Sequence, residues 1–190
     1  MTDLGDPFTK RPLMSALEKV HDDVGMFFIT LPTDDFFHQP PDAWSPFDNL
    51  RHLIKSVKAV SRAMKIPKIV LRILFGVSPK ISRRYRKITE IYRGELGKGA
   101  KASWFYSPGK KDLPSEPEQA KETFLRKWEK TGFKLLSIIE KWEDRELDKY
   151  RLPHPILGKI TVREMLFFTL YHNQHHIASV KKRLEKATVS

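Results

Sequence analysis

Four segments of the chain carry apolar residues at the three-to-four residue spacing that is typical of one face of an α-helix. They run from about Pro12 to Leu31, from Ser45 to the residues before Pro67, from about Glu116 to Trp142, and from Thr161 to about Lys186. No alternating strand pattern is longer than a few residues. Four helices of roughly 20 residues predict an all-α fold, a four-helix bundle.

Two of these helices have clear start signals. Ser45 is a good N-cap, Pro46 suits the first helical position, and Asp48 favours the positive end of the helix. Thr161 and Glu164 have the spacing of a capping box, in which each side chain bonds the other residue's backbone N–H. Both signals predict well-defined helix starts.

The connection between the second and third helices is predicted to be irregular and basic. Residues 66–115 contain several glycines and prolines, with short helices expected only at Lys68–Phe75 and Ile81–Tyr92. Residues 65–111 hold 13 of the Lys and Arg residues against two acids, so most of the net charge of +12 belongs to this segment. The basicity is therefore a property of one segment and not of the whole fold.

The composition limits the class of protein. A length of 190 residues predicts one domain, residues 1–190, that is long enough to bury a core. The chain has no cysteine, so a metal would have to be held by histidine or carboxylate side chains. The start of the chain lacks a signal-peptide pattern, and no apolar run reaches the roughly 18 to 20 residues of a membrane span. We therefore expect a cytoplasmic protein with no transmembrane segment.

Three of the seven histidines fall within the last predicted helix, at positions 172, 175 and 176. At about 100° per residue, His172 and His176 point within about 40° of each other, whereas His175 is rotated about 60° from His172. One helical turn separates His172 from His176, so their rings can bind a single metal ion. The spacing predicts half of a metal site, and a third ligand must come from elsewhere.

The third ligand can be a carboxylate or one of four histidines. His38 and His154 lie beside prolines in predicted loops, and the charged neighbours of His21 suggest that it faces solvent. His52 lies in the second helix, on a strip of small residues opposite a charged face; the strip comprises Asn49, Ser56, Ala59 and Ala63. Small side chains beside a histidine leave room for an ion or a substrate, which favours His52.

The order of these features resembles the DinB/YfiT-like family of metalloenzymes. The resemblance is close in the segments 44–53 (WSPFDNLRHL), 154–164 (HPILGKITVRE) and 171–177 (YHNQHHI), and loose over the rest of the chain. It implies an up-down-down-up four-helix bundle, often dimeric. It also implies a metal triad of one histidine from the second helix and two from the last, which here are His52, His172 and His176.

The resemblance further implies nickel, zinc or iron as the metal. Several relatives are transferases or isomerases that use a low-molecular-weight thiol such as glutathione, mycothiol or bacillithiol, and we therefore expect a small-molecule substrate. One departure is Ser179, where relatives often have glutamine. The basic segment also has no counterpart in a known function of the family.

Two kinds of enzyme and one binding function remain open from the sequence. With no cysteine in the chain, a thiol nucleophile would come from a cosubstrate, and metal-assisted hydrolysis is equally compatible with the ligands. The alternative is a non-enzymatic module in which the basic segment, with Trp104, Phe105 and Tyr106 nearby, binds nucleic acid or an anionic membrane. The same charges also fit a solvated surface or a lid over the metal site. No nucleic-acid motif surrounds them, so we expect the lid.

Overall fold

The computed structural model of the protein describes residues 4–41, 43–99 and 113–189, with only the backbone described for 187–189. Trp104, Phe105 and Tyr106 lie outside the described residues. Eight α-helices and one β-hairpin make up the described part of the chain. The elements are α1 (Lys10–Thr30), α2 (Thr33–Phe37), α3 (Pro46–Ala63), α4 (Lys68–Phe75), α5 (Tyr85–Gly97), α6 (Pro117–Glu140), α7 (Asp144–Lys149), β1 (Arg151–His154), β2 (Gly158–Thr161) and α8 (Val162–Val189).

The four long helices α1, α3, α6 and α8 form the predicted four-helix bundle. Helix α3 packs against α6 and α8, and α1 also packs against α6 and α8. The apolar faces that the sequence pattern defined meet in one core, which includes Leu13, Phe28, Leu53, Val57, Trp128, Ile139, Leu166 and Leu170. The contact between α3 and α8 places the two predicted ligand-bearing helices side by side. No helix within the described ranges has the length and apolar composition needed to cross a bilayer.

Both predicted helix starts are confirmed by their hydrogen bonds. The backbone N–H of Asp48 donates to Ser45 Oγ at 3.0 Å. The backbone N–H of Glu164 donates to Thr161 Oγ1 at 3.1 Å, and that of Thr161 donates to Glu164 Oε2 at 3.0 Å. These bonds satisfy N–H groups that have no partner inside the helix. They fix where α3 and α8 begin, and hence the position of each histidine along the bundle axis.

The prediction for the basic connection was only partly right. Helix α4 spans the predicted residues, but α5 begins at Tyr85 and not at Ile81. Residues just before α5 are bound to the start of α8 instead: Ser82 Oγ lies 2.6 Å from Thr161 Oγ1, and the backbone N–H of Arg83 donates to Glu164 Oε1 at 2.9 Å. These tertiary bonds hold the chain extended there, and α5 then packs along α8.

The segment before α8, predicted as a loop, forms a β-hairpin. Strands β1 and β2 pair antiparallel, with Arg151 opposite Thr161 and His154 opposite Gly158. Gly158 has φ of 71°, a conformation that glycine adopts without the cost that a Cβ imposes. The hairpin carries His154 into a buried position beside α8.

Candidate metal centre

His52, His172 and His176 lie together between α3 and α8. One ring nitrogen of each lies within 4.8 Å of those of the other two. Their ring centroids are 4.6 to 4.9 Å apart, and His52 Nε2 is 3.0 Å from His172 Nε2. Two nitrogen ligands that each lie about 2.1 Å from one ion are at most about 4.2 Å apart, so the separations here are close to those of a three-histidine site. The three histidines predicted from the sequence therefore form a group that could hold a single metal ion.

His175 lies outside this group, as its helical phase predicted. Its ring stacks on that of Tyr171, with centroids 5.6 Å apart, and its Nδ1 lies 3.5 Å from the Tyr171 hydroxyl. Adjacent residues on a helix point about 100° apart, so His175 and His176 cannot serve the same site equally. His175 is therefore a natural comparison for the three clustered histidines.

Burial keeps His172 and His176 neutral. Burial lowers the pKa of His172 well below its usual value, and the other histidines nearby lower it further. Burial likewise lowers the pKa of His176, with His52 and His175 adding to the effect. Neutral imidazole is the form that binds metal ions, so these two histidines do not need to lose a proton before they bind a metal ion at neutral pH.

Asn49 fixes the orientation of His176. The Asn49 amide nitrogen donates to the backbone carbonyls of Trp44, at 3.2 Å, and Ser45, at 2.8 Å. Its oxygen is therefore the atom that faces His176 Nδ1, at 2.7 Å, and accepts a hydrogen bond from it. With the proton on Nδ1, His176 Nε2 has a free lone pair, which is the usual arrangement around a metal-binding histidine.

This role of Asn49 was not predicted from the sequence, although the residue lies on the same strip as His52. Asn49 precedes His52 by three residues, so the two share a helix face. That spacing is a signal for a residue that supports the site. Only the packing of α3 on α8 shows which histidine it contacts.

Trp44 closes the outer side of the histidine group. Its ring is nearly parallel to that of His176, with centroids 6.1 Å apart, and 5.0 Å from that of His52. Arg183 donates to the backbone carbonyl of Trp44 at 3.4 Å and to Ser179 Oγ at 2.9 Å. Ser179, the departure from the family pattern, thus contacts Arg183, which also contacts the residue that covers the site.

A cavity of about 160 Å³ adjoins His52 and His172. The strip of small residues predicted to leave room beside His52 forms part of its wall, through Ser56, Ala59 and Ala63. The other residues of the wall are Val60, Tyr92, Leu152, Pro153, His154, Pro155, Ile156, Met165 and Phe168. A larger groove of about 760 Å³ lies between α1 and α8, but none of the three clustered histidines lines it. The smaller cavity therefore gives access to a metal held by these histidines.

The remaining histidines occupy three different environments. The expectation that His21 faces solvent was wrong: its ring stacks on Trp128 at 4.0 Å, and burial lowers its pKa to about 4. His38 is exposed just after α2. His154 is buried in β1 and lies on the wall of the cavity.

The chain thus folds as a four-helix bundle, and three histidines lie together between its second and last long helices. These two features together are typical of helical proteins that can bind a metal. A model of the DinB superfamily matches residues 16–180. The chain belongs to the DinB superfamily, as the resemblance in its sequence indicated.

Two solved structures have a similar fold. The four-helix bundle protein TT2238 is 14% identical, with a TM-score of 0.56; the match covers 92% of this chain and 99% of that one. The colibactin self-resistance protein ClbS, solved in complex with a dsDNA, is also 14% identical, with a TM-score of 0.50 and coverage of 94% and 97%. A comparison with curated proteins finds no match. At this level of identity the two structures support the fold alone.

Proposed function

We propose that the protein is a metal-dependent enzyme that transfers a low-molecular-weight thiol to an electrophile. In this proposal His52, His172 and His176 hold one divalent transition metal ion: nickel, zinc or iron. The main support for this proposal is that one ring nitrogen from each of the three histidines lies within 4.8 Å of the others, and that a cavity adjoins the group. Such an ion would supply a Lewis acid that lowers the pKa of a thiol or a water molecule.

The residues of the chain have defined parts in this proposal. Asn49 holds His176 in the tautomer that leaves Nε2 free, and Trp44 shields the outer side of the site from water. The cavity beside His52 and His172 admits a substrate from the inner side. The chain has no cysteine, so the thiol must be a separate molecule. Hydrolysis by an activated water is the alternative reaction for the same site.

A paired assay separates the two reactions. In the thiol assay the protein, loaded in turn with nickel, zinc or iron, receives glutathione and 1-chloro-2,4-dinitrobenzene. The sulfur forms a bond to the ring carbon, chloride leaves, and the thiol proton passes to solvent. In the second assay p-nitrophenyl acetate replaces both reagents. We expect a rate above the uncatalysed background only in the thiol assay, and only that background rate with metal-free protein or His172→Ala. Activity in the ester assay alone would assign the site to hydrolysis.

We also propose that the protein is a homodimer, an expectation that rests on the family resemblance. Sedimentation velocity at several protein concentrations tests this directly. A monomer at all concentrations would remove the proposal without affecting the metal site.

A second candidate function, binding to an anionic membrane surface, is favoured by an apolar and basic surface around α4. Four of its side chains, Ile69, Ile73, Leu74 and Ile81, are between 55% and 75% exposed, and Val77 is exposed beside them. Residues 65–87 contain eight Lys and Arg residues and no acid. We call residues 65–81 the α4 surface. Exposed apolar groups next to cations are the pattern of a segment that lies in a membrane interface.

The basic side chains around α4 differ in whether an acidic side chain already binds them. Arg83 is bound to Glu164 through its Nε, at 2.8 Å, and Lys68 is bound to Glu146. Lys65, Arg72 and Lys80 are exposed and have no ion pair among the described residues. Like charge disfavours pairing of this surface with a second copy of itself. DNA, which the ClbS structure contains, would be attracted by the cations but would gain little from the exposed isoleucines.

Vesicle sedimentation tests the α4 surface. Wild type should bind vesicles of phosphatidylcholine with phosphatidylglycerol much more tightly than phosphatidylcholine alone. The double substitution Ile69→Ser with Ile73→Ser should weaken binding at least about tenfold, because apolar burial is lost. Replacing Arg72 and Lys80 by glutamine should weaken vesicle binding about fivefold for each charge that is removed.

Phe133→Ser is the control for these substitutions, since Phe133 is 63% exposed on α6, outside the α4 surface. Salt-sensitive binding to duplex DNA without binding to vesicles would assign the surface to nucleic acid.

A further inference from the structure

His154 holds its ring in one orientation through the turn of the β-hairpin. Its Nδ1 accepts two hydrogen bonds, from the backbone N–H of Ile156 at 3.1 Å and from that of Leu157 at 3.0 Å. The ring also packs edge-on against Phe168, with centroids 4.2 Å apart, and against Tyr92 at 6.1 Å. These contacts leave the ring little freedom to turn.

The same contacts define which nitrogen carries the proton. A nitrogen that accepts two N–H groups must have its lone pair free, so Nδ1 is unprotonated. Burial lowers the pKa of His154 to about 4, which keeps the ring neutral at physiological pH. A neutral imidazole carries one proton, so it must be on Nε2. Nε2 has no hydrogen-bond partner among the described residues, although His154 lies on the cavity wall.

The cavity is otherwise mainly apolar. Apart from His154, the polar side chains on its wall are His52, His172, Ser56 and Tyr92, and the wall has no Asp, Glu, Lys or Arg among the described residues. Its volume of about 160 Å³ is close to that of an apolar cavity of about 150 Å³ that binds benzene. A neutral ligand group the size of one aromatic ring therefore fits this space, and a charged group would lack a partner there.

We propose that this cavity binds the electrophile, as a small and mainly apolar group with one hydrogen-bond acceptor, and that His154 Nε2–H donates to that acceptor. A carbonyl or an ether oxygen has the required chemistry. The proposal rests on the proposed function in placing the substrate beside His52 and His172. The thiol itself would then occupy other space at the site. His154 acts in this way as a ligand-binding residue that sets specificity.

Two substitutions separate this role from support of the hairpin. In His154→Asn the side-chain oxygen can take the place of Nδ1 and accept the N–H groups of the turn, but the donor toward the cavity is lost. In His154→Gln the amide NH₂ can take the place of Nε2–H, but the acceptor for the turn is lost. The probes are acetophenone, which has a carbonyl, and α-methylstyrene, which has a similar shape and no acceptor. Binding is measured by NMR titration of the metal-free protein.

We expect acetophenone to bind wild type and His154→Gln roughly five- to tenfold more tightly than His154→Asn, while α-methylstyrene binds all three alike. Long-range ¹H–¹⁵N spectra should show the proton of His154 on Nε2. Retained acetophenone affinity in His154→Asn, with loss in His154→Gln, would mean that the residue only supports the turn. A proton on Nδ1, or no binding of acetophenone to wild type, would also overturn the proposal. Metal content is measured separately, so an absent metal would contradict the proposed function without deciding this test.

Discussion

Elemental analysis of the untagged protein is expected to find about one divalent transition metal ion per chain, and His172→Ala is expected to abolish most of it. His172 is buried next to the other two histidines, and its replacement leaves two imidazoles that cannot complete the site. His52→Ala and His176→Ala should have the same effect. Removing one of three protein ligands should lower the affinity by more than about a hundredfold, since even the loss of a supporting residue costs about ten- to a hundredfold.

His175→Ala is the matched control for these substitutions. It removes an imidazole from the same turn of α8, but one that stacks on Tyr171, meets only the edge of the His176 ring and does not belong to the three-histidine group. It should retain nearly full occupancy. Equal loss in His175→Ala and His176→Ala would contradict the assignment of the helical phase.

Asn49→Ala should give an intermediate result. It keeps all three histidines but removes the oxygen that accepts from His176 Nδ1. We expect a loss of affinity of about ten- to a hundredfold, measured by competition with a metal chelator. Asn49→Asp keeps an acceptor at this position and should retain more affinity than the alanine substitution.

The pairing of His172 with His176 could be predicted because it depends on local geometry, and His52 was indicated by its small neighbours and by the family resemblance. The phase of His172 and His176 follows from the helix period, and the small residues near His52 marked the face that borders the cavity. Metal binding itself stays a prediction. The roles of Asn49 and His154 could not be predicted, because each depends on a contact between distant segments. Asn49 meets His176 only when α3 packs on α8, and His154 reaches the cavity only because the hairpin forms.

The helix ends of the bundle were predictable for a similar reason. Side-chain caps such as Ser45 and Thr161 act within three residues, so their signal is present in the sequence. The start of α5 was missed because Ser82 and Arg83 bind Thr161 and Glu164, about 80 residues away. The four-residue strands of the hairpin are too short for an alternating pattern to be distinguished from a loop.

Replacing Arg163 should have the largest effect on stability, because this fully buried side chain joins three segments. Its guanidinium donates to both carboxylate oxygens of Asp148, at 2.7 and 3.1 Å, to the carboxylate and backbone carbonyl of Asp144, and to the backbone carbonyl of Phe8. Arg163→Met keeps much of the volume but leaves these acceptors without their donor. We expect a loss of about 3 kcal/mol or more in the free energy of unfolding, measured by urea denaturation at pH 7.

The loss caused by Arg163→Met should shrink as the pH falls. Burial by itself would raise the pKa of Asp148, but hydrogen bonds from Arg163 and Ser82 outweigh it and hold the pKa below its usual value. A carboxyl group whose pKa is lower in the folded state stabilises the fold above its unfolded pKa, about 3.9, and that stabilisation disappears as the pH falls through the folded value. The difference in the free energy of unfolding between wild type and Arg163→Met should therefore be smaller at pH 3 than at pH 7.

Arg145→Met is the control for Arg163→Met. The Arg145 side chain is 85% exposed in an ion pair with Glu143, so its replacement should change the free energy of unfolding by less than about 1 kcal/mol at either pH. A difference for Arg163→Met that is the same at both pH values would show that lost packing, and not the ion pair with Asp148, accounts for the effect.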